Sequence, residues 1–380
     1  MFQVLVDAAA RHQSIEVQAR VAGALWGLSV HDDIAERIGA LHPLMRSCHP
    51  LPSIATPCRP LPPLASLPPK VSPPLPPSLP HSLTPLGALG GVDCLIKAAR
   101  SYPADDDVQS SAAGAVRNLC CNQEDGTKQT VAELDGLEML IAAATNHVAD
   151  EGVLSQVTGA LRNLSLNDAV ATRIAAGGGI GALVRASAAH RGSAKVQAGV
   201  AGALRNLSVS DEIAAEIAAA GGIEALVGAS REHEGNADVQ GEVAGALWGL
   251  SVSDEIEGEI AQAQGIHVLV AAAKMHFRNA KVQARVAGAL RKMSATDENK
   301  REIAEAGGVR ALIESSRVHL DSAVVQASVA GVLSNLSVDN EIEREIASEG
   351  GIEAPPSTLL HFIPHHLLNS TSSTNSTYST

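Results

Sequence analysis

Apolar residues recur along the chain in a fixed frame, V-Q-x-x-V-A-G-A-L-x-x-L-S, which opens at Val17, Val108, Val153, Val196, Val239, Val282 and Val325. Counting the opening Val as position 1, the apolar letters stand at positions 1, 5, 8, 9 and 12. That spacing lays one stripe along one face of an α-helix. Between frames the pattern changes. In the stretch around residue 211, "SDEIAAEIAAA" opens on Ser and Asp, residues whose side chains accept hydrogen bonds from the free amides of a helix start. Gly221 and Gly222 follow and permit a sharp reversal, then "IEALVGASREH", the polar loop "EGNAD" and the next frame. Each unit thus predicts a short helix, a Gly-Gly break, a middle helix and a long third helix. The last five frames open 43 residues apart, a period that marks a solenoid whose units bury a shared core by stacking.

The break and its sequel, "GGIEALV" (221–227), recur as "GGIGALV" (178–184), "GGVRALI" (307–313) and "GGVDCLI" (90–96). With three helices per unit, the pattern resembles the armadillo repeat. Two-helix HEAT repeats are disfavoured, because the Gly-Gly break sets off a separate first helix. The resemblance implies an all-α, right-handed α-solenoid of about seven three-helix units, some of them partial. It also implies that the side of the third helix opposite the apolar stripe, positions 3, 7, 10, 11 and 14, lines a concave groove.

Two positions on that side vary while the frame holds. Position 10 runs Trp26, Arg117, Arg162, Arg205, Trp248, Arg291 and Ser334, and position 11 runs Gly27, Asn118, Asn163, Asn206, Gly249, Lys292 and Asn335. Both Trp residues of the chain fall in one column. Arg presents a planar fork for carboxylates, Trp an apolar or cation-binding platform, and Asn an amide that donates and accepts along an extended backbone. The candidate groove residues are therefore Trp26, Arg117, Asn118, Arg162, Asn163, Arg205, Asn206, Trp248, Arg291, Lys292 and Asn335. Two plainer readings stand beside this one: Asn at position 11 as a cap near a helix end, and Arg at position 10 as the partner of a neighbouring unit's acid. Peptide-binding armadillo proteins such as importin-alpha carry Trp at position 7, where this chain has Gly in every unit (Gly23, Gly114, Gly159, Gly202, Gly245, Gly288, Gly331). That departure argues against recognition of basic import cargo.

Composition agrees with close-packed helices: 45% of residues are hydrophobic but 2% are aromatic, so Ala-lined contacts replace a thick aromatic core. A net charge of −13 lacks the basic surface that nucleic-acid binding requires. No run reaches the length of a membrane span. Five cysteines without paired spacing predict reduced thiols and a cytoplasmic protein, with the nucleus as second location. The adjacent Cys120 and Cys121 are expected to be small core residues. The repeated histidines after the middle helices (His12, His147, His190, His233, His276, His319) are expected to be solvated. No metal set, phosphate loop or nucleophile motif occurs, so no cofactor and no catalysis are expected.

Two segments interrupt the pattern. Residues 42–86 hold 15 of the 19 prolines and exclude helix. They split the first unit (1–41) just before its Gly-Gly turn, between repeated "GAL" triplets. That arrangement reads as retained non-coding sequence, or else as a linker whose "KVSPPLP" (70–76) adaptor domains would bind. The array proper spans 87–354, and a Ser/Thr-rich tail, expected to be disordered, fills 355–380. The first residues align with a middle helix and neither end carries a polar capping unit, so the chain reads as part of a longer protein. Three function classes follow: a non-catalytic scaffold binding an extended, acidic or phosphorylated protein segment in the groove; the substrate-recognition part of a U-box-type ubiquitin ligase; and a nuclear transport adaptor.

Overall fold

The computed structural model describes residues 89–121, 125–208 and 210–351. The first unit (1–41), Trp26, the proline-rich segment (42–86) and the tail (355–380) lie outside them. Every described element is an α-helix. In chain order these are α1 (Leu89–Ser101), α2 (Asp106–Leu119), α3 (Asp125–Glu133), α4 (Gly136–Asn146), α5 (Glu151–Leu164), α6 (Asp168–Ala176), α7 (Gly179–Ala189), α8 (Ala194–Leu207) and α9 (Asp211–Ala219). They continue with α10 (Gly222–Glu232), α11 (Ala237–Leu250), α12 (Asp254–Gln262), α13 (Gly265–Met275), α14 (Ala280–Met293), α15 (Asp297–Glu305), α16 (Gly308–Val318), α17 (Ala323–Leu336) and α18 (Asn340–Ser348). They form successive three-helix units, and the long third helices α2, α5, α8, α11, α14 and α17 pack one on the next in that order. The architecture is an all-α solenoid.

The frame reads out as expected in the core. In α8, Val196, Val200, Ala203, Leu204 and Leu207 are all at most 2% exposed. Position 6 is buried too (Ala201, Thr158), because neighbouring third helices close over it. Third helices begin two residues before the frame's Val, where Asp150, Ser193, Asn236, Asn279 and Ser322 accept the Val amide. Position 2 explains the recurring Gln, which gives way to Leu154 in the unit that opens at Val153: Gln197 Nε2 donates to the carbonyls of Ser187 and His190, both at 2.9 Å. Gln109, Gln240, Gln283 and Gln326 make the same pair of bonds. Each buried amide satisfies the carbonyls that end a middle helix, which would otherwise be orphaned.

The Gly-Gly break separates two different demands. The first residue sits in the left-handed region, as in Gly221 (φ 81°), yet Asp135 (φ 59°) and Gln264 (φ 70°) occupy it in two units. The second is glycine in every described break because there is no room for a side chain. A Cβ on Gly222 would stand 2.7 Å from the Ile217 carbonyl oxygen and 2.5 Å from its Cγ2. This close approach lets α10 leave α9 at 70°.

Two expectations change. The repeated histidines are not simply solvated. Nε2 of His190, His233, His276 and His319 bonds the carbonyls of Val148, Arg191, Glu234 and Phe277 one unit earlier. His147 likewise bonds Pro103 O and, through Nδ1, Asp106, and it is buried. The period places each ring over the preceding loop, so the column ties units together. Of the paired cysteines, Cys120 is buried and burial pushes its thiol up to about 12, whereas Cys121 is exposed, because it lies one residue past the frame.

Candidate functional site

The third helices place position 10 beside position 7 of the next unit. A Cβ on Gly202 would stand 2.6 Å from Arg162 Cδ, one on Gly245 2.7 Å from Arg205 Cδ, and one on Gly331 2.6 Å from Arg291 Cδ. The same geometry seats Arg117 on Gly159 at 2.8 Å, and the Trp248 indole on Gly288 at 3.0 Å. The Gly at position 7 is therefore the floor on which each position-10 side chain lies. Sequence reasoning placed position 7 on an open face, but Gly202, Gly245 and Gly288 are buried beneath their neighbours. Any larger residue there would lift the Arg or Trp off the helix.

Position 11 is tied to the preceding helix. Asn163 Nδ2 donates to Arg117 O and Asn206 Nδ2 to Arg162 O, each at 2.8 Å. Asn335 Nδ2 reaches Arg291 O at 3.2 Å and Ser294 Oγ at 2.9 Å. Asn206 Oδ1 also accepts from Arg205 Nε and Nη2. These amides satisfy the carbonyls left free at the ends of third helices, which is the capping role. Asn163 and Asn206 each keep a second hydrogen that these bonds do not use, whereas Asn335 donates both. Asn118 stands at the same frame position in α2 and is partly buried.

The strongest electrostatic feature matches the plainer reading of position 10, Arg paired with another unit's acid, although no sequence pattern singled out which acid. Glu242, at position 4 of α11, is 1% exposed and meets four cations. Arg162 Nη2 and Lys281 Nζ donate to Oε1 at 2.8 and 3.2 Å, and Arg205 Nη1 and Arg285 Nη1 approach Oε2 at 2.7 and 3.1 Å. The last two are ion pairs without the alignment of a hydrogen bond. Burial works to raise the Glu242 pKa, but Arg162, Arg205 and Arg285 outweigh it and hold the carboxyl below its ordinary value. Burial in turn draws the Arg205 guanidinium down, with Glu242 opposing and Arg285 and Arg162 adding to the effect. Arg162 reaches across a whole unit to Glu242 over position 7 of the intervening helix, Gly202, where a Cβ would stand 2.6 Å from Arg162 Cδ and Nε. Glu242 is the lone acid in its column, a signal the sequence did contain. Its four partners come from three helices, and no spacing rule announces that convergence.

Between α8, α11 and α14 lies a cleft of ≈ 420 Å³ lined by Arg205, Arg285, Lys292 and Trp248, with Ser208 and two glycines. It is open because Gly249 stands where the other described units carry Asn or Lys. Ser208 Oγ donates to Arg205 O, as Ser165 and Ser294 do to Arg162 O and Arg291 O, but Gly249 brings no amide to this carbonyl, and a Cβ on Gly249 would stand 2.2 Å from Ser208 Oγ. Arg117 and Arg291 lie exposed further along the ladder, with Arg117 Nη1 on Gln156 Oε1 at 3.2 Å. Among the described residues no cluster of metal-ligating side chains occurs, and no single helix is long and apolar enough to cross a membrane.

This fold is a helical-repeat solenoid, and the comparisons agree at that level. No family model and no curated protein matches the chain. Among solved structures it is similar to an engineered protein, with 27% identity over 65% of this chain and 97% of that one and a TM-score of 0.57. It is also similar to a structure concerning a conserved phosphorylation switch that controls the interaction between cadherin and beta-catenin. There the identity is 16%, over 91% of this chain and 63% of that one, with a TM-score of 0.52.

Proposed function

We propose that this chain is a non-catalytic armadillo-type scaffold whose third-helix ladder binds an extended, acidic segment of a partner protein. One observation carries the reading. From position 4 onward the described third helices bear six cations (Arg117, Arg162, Arg205, Arg285, Arg291, Lys292) and a single acid, Glu242, in a chain of net charge −13. A basic strip on an acidic protein focuses its field on one face and steers acidic partners there. Trp248, 38% exposed, adds the kind of aromatic anchor that dominates binding surfaces. The same strip repels the basic segments of nuclear import cargo, which disfavours the transport-adaptor reading. The substrate-recognition part of a U-box-type ligase would use this face in the same way. A cytoplasmic location fits the unpaired cysteines, with the nucleus as second location.

The test uses cations outside the Glu242 cluster, so that folding is spared. The full chain and an Arg117→Glu/Arg291→Glu/Lys292→Glu variant are probed with arrayed extended peptides graded in net charge. Acidic peptides are expected to be retained by the parent chain and lost by the variant, with thermal unfolding unchanged. Retention that ignores peptide charge, or that survives in the variant, overturns the reading.

A further inference from the structure

The cleft at the centre of the ladder holds more positive charge than the fold consumes. Arg285 engages Gly241 O at 2.9 Å and Glu242 through Nη1, which leaves its Nε and Nη2 without a partner among the described residues. Lys292 is exposed and makes no hydrogen bond or ion pair among them. Its charge is felt by Glu257, whose pKa is raised by burial and by Asp254 and lowered by Lys292. Arg205 lines the same cleft. Glu242 lies behind these side chains and is already shared with Arg162 and Lys281. A single carboxylate would leave this donor set undersupplied, whereas a tetrahedral dianion offers three acceptor oxygens to a guanidinium fork and an ammonium.

We propose that the cleft formed by Arg205, Arg285 and Lys292 seats the phosphoryl group of a phosphorylated serine or threonine in the partner segment, with the neighbouring residue of that segment on the Trp248 indole. The inference rests on the groove-binding reading above. The pairing of Trp with Gly at positions 10 and 11 acquires a cause. Gly249 removes the Asn that caps the previous helix elsewhere, and that opening exposes the cationic side chains beside the indole. The ring lies flat on Gly288, so it supplies a rigid platform at little entropic cost.

Three oriented peptide libraries test this on the full chain, with central phosphoserine, Glu or Ser in otherwise identical randomised flanks. The phosphoserine library is expected to be retained about tenfold better than the Glu library, the gain of charge-assisted hydrogen bonds that a carboxylate does not make. Lys292→Ala, which removes no hydrogen bond or ion pair of the described fold, is expected to abolish that preference, while Lys195→Ala, exposed and outside the ladder, keeps it. Equal retention of phosphoserine and Glu, both above Ser, overturns the phosphoryl seat and leaves the acidic groove standing. Equal retention of all three overturns both. Inorganic phosphate binding as tightly as the phosphopeptides would make the cleft a free-anion site and also overturns the inference.

Discussion

Replacing Glu242 by Gln keeps the shape of the side chain and removes its charge, leaving Arg162, Arg205, Lys281 and Arg285 facing one another. With charge centres about 4 Å apart and an effective dielectric near 20, each attraction is worth about 4 kcal/mol gross. The net effect is smaller. The buried carboxylate regains the cost of its desolvation, and the four cations, whose side chains are 34%, 22%, 54% and 19% exposed, swing partly into solvent. Removing one partner of a buried ion pair costs about 3–5 kcal/mol, and the exposure of these cations sets the expected loss near the lower end. Urea unfolding of parent and Glu242→Gln chains measures it, and hydrogen exchange should show the loss concentrated in α5, α8, α11 and α14.

The sign of the pH dependence follows from the depressed pKa. Glu242 contributes stability above its unfolded pKa of about 4.3 and loses it as pH falls through the lower folded value. The gap between the two chains should be constant from neutral pH down to about 5 and close in stronger acid. A gap below about 0.5 kcal/mol at neutral pH, the range of an ordinary surface substitution, would refute the reasoning. So would a gap that persists in acid.

Two further outcomes come from the helix breaks. Gln264→Gly should raise stability by about 0.5–1 kcal/mol, because a left-handed non-Gly residue costs about 1–2 kcal/mol and the added chain entropy of Gly offsets part of the gain; a fall in the urea midpoint would contradict it. Gly222→Ala should cost about 1–3 kcal/mol by overpacking against the Ile217 carbonyl, and an unchanged melting temperature would show that α9 and α10 separate freely.

How much was legible depended on whether a feature repeats. The apolar stripe at Val196, Val200, Leu204 and Leu207 recurs in every unit, and so do Gly222 and its equivalents. Periodicity therefore exposed both the helices and the breaks. Two recurring features were visible without their purpose. Gln197 and its equivalents read as part of a frame, and their two carbonyl partners appear when the middle and third helices pack. Gly202 and its equivalents read as the absence of an aromatic, until the preceding unit's side chain was found lying on them. The Asn column was open to two readings, and the bonds of Asn163 and Asn206 to the preceding helix show the capping one in place. Glu242 was hidden for the opposite reason: it occurs once.

By itself the sequence determined the helices, their order and the period, since these depend on local spacing, capping residues and glycine, all written within one unit. Tertiary structure alone decided which charges meet. Arg162 and Glu242 are 80 residues apart, and Arg162 crosses the helix between them where Gly202 leaves room for it. Charge convergence depends on how units stack and on what each backbone leaves room for. The ladder's residues could be named from one line of text, whereas its centre, at Glu242 and the cleft beside it, exists in the stack.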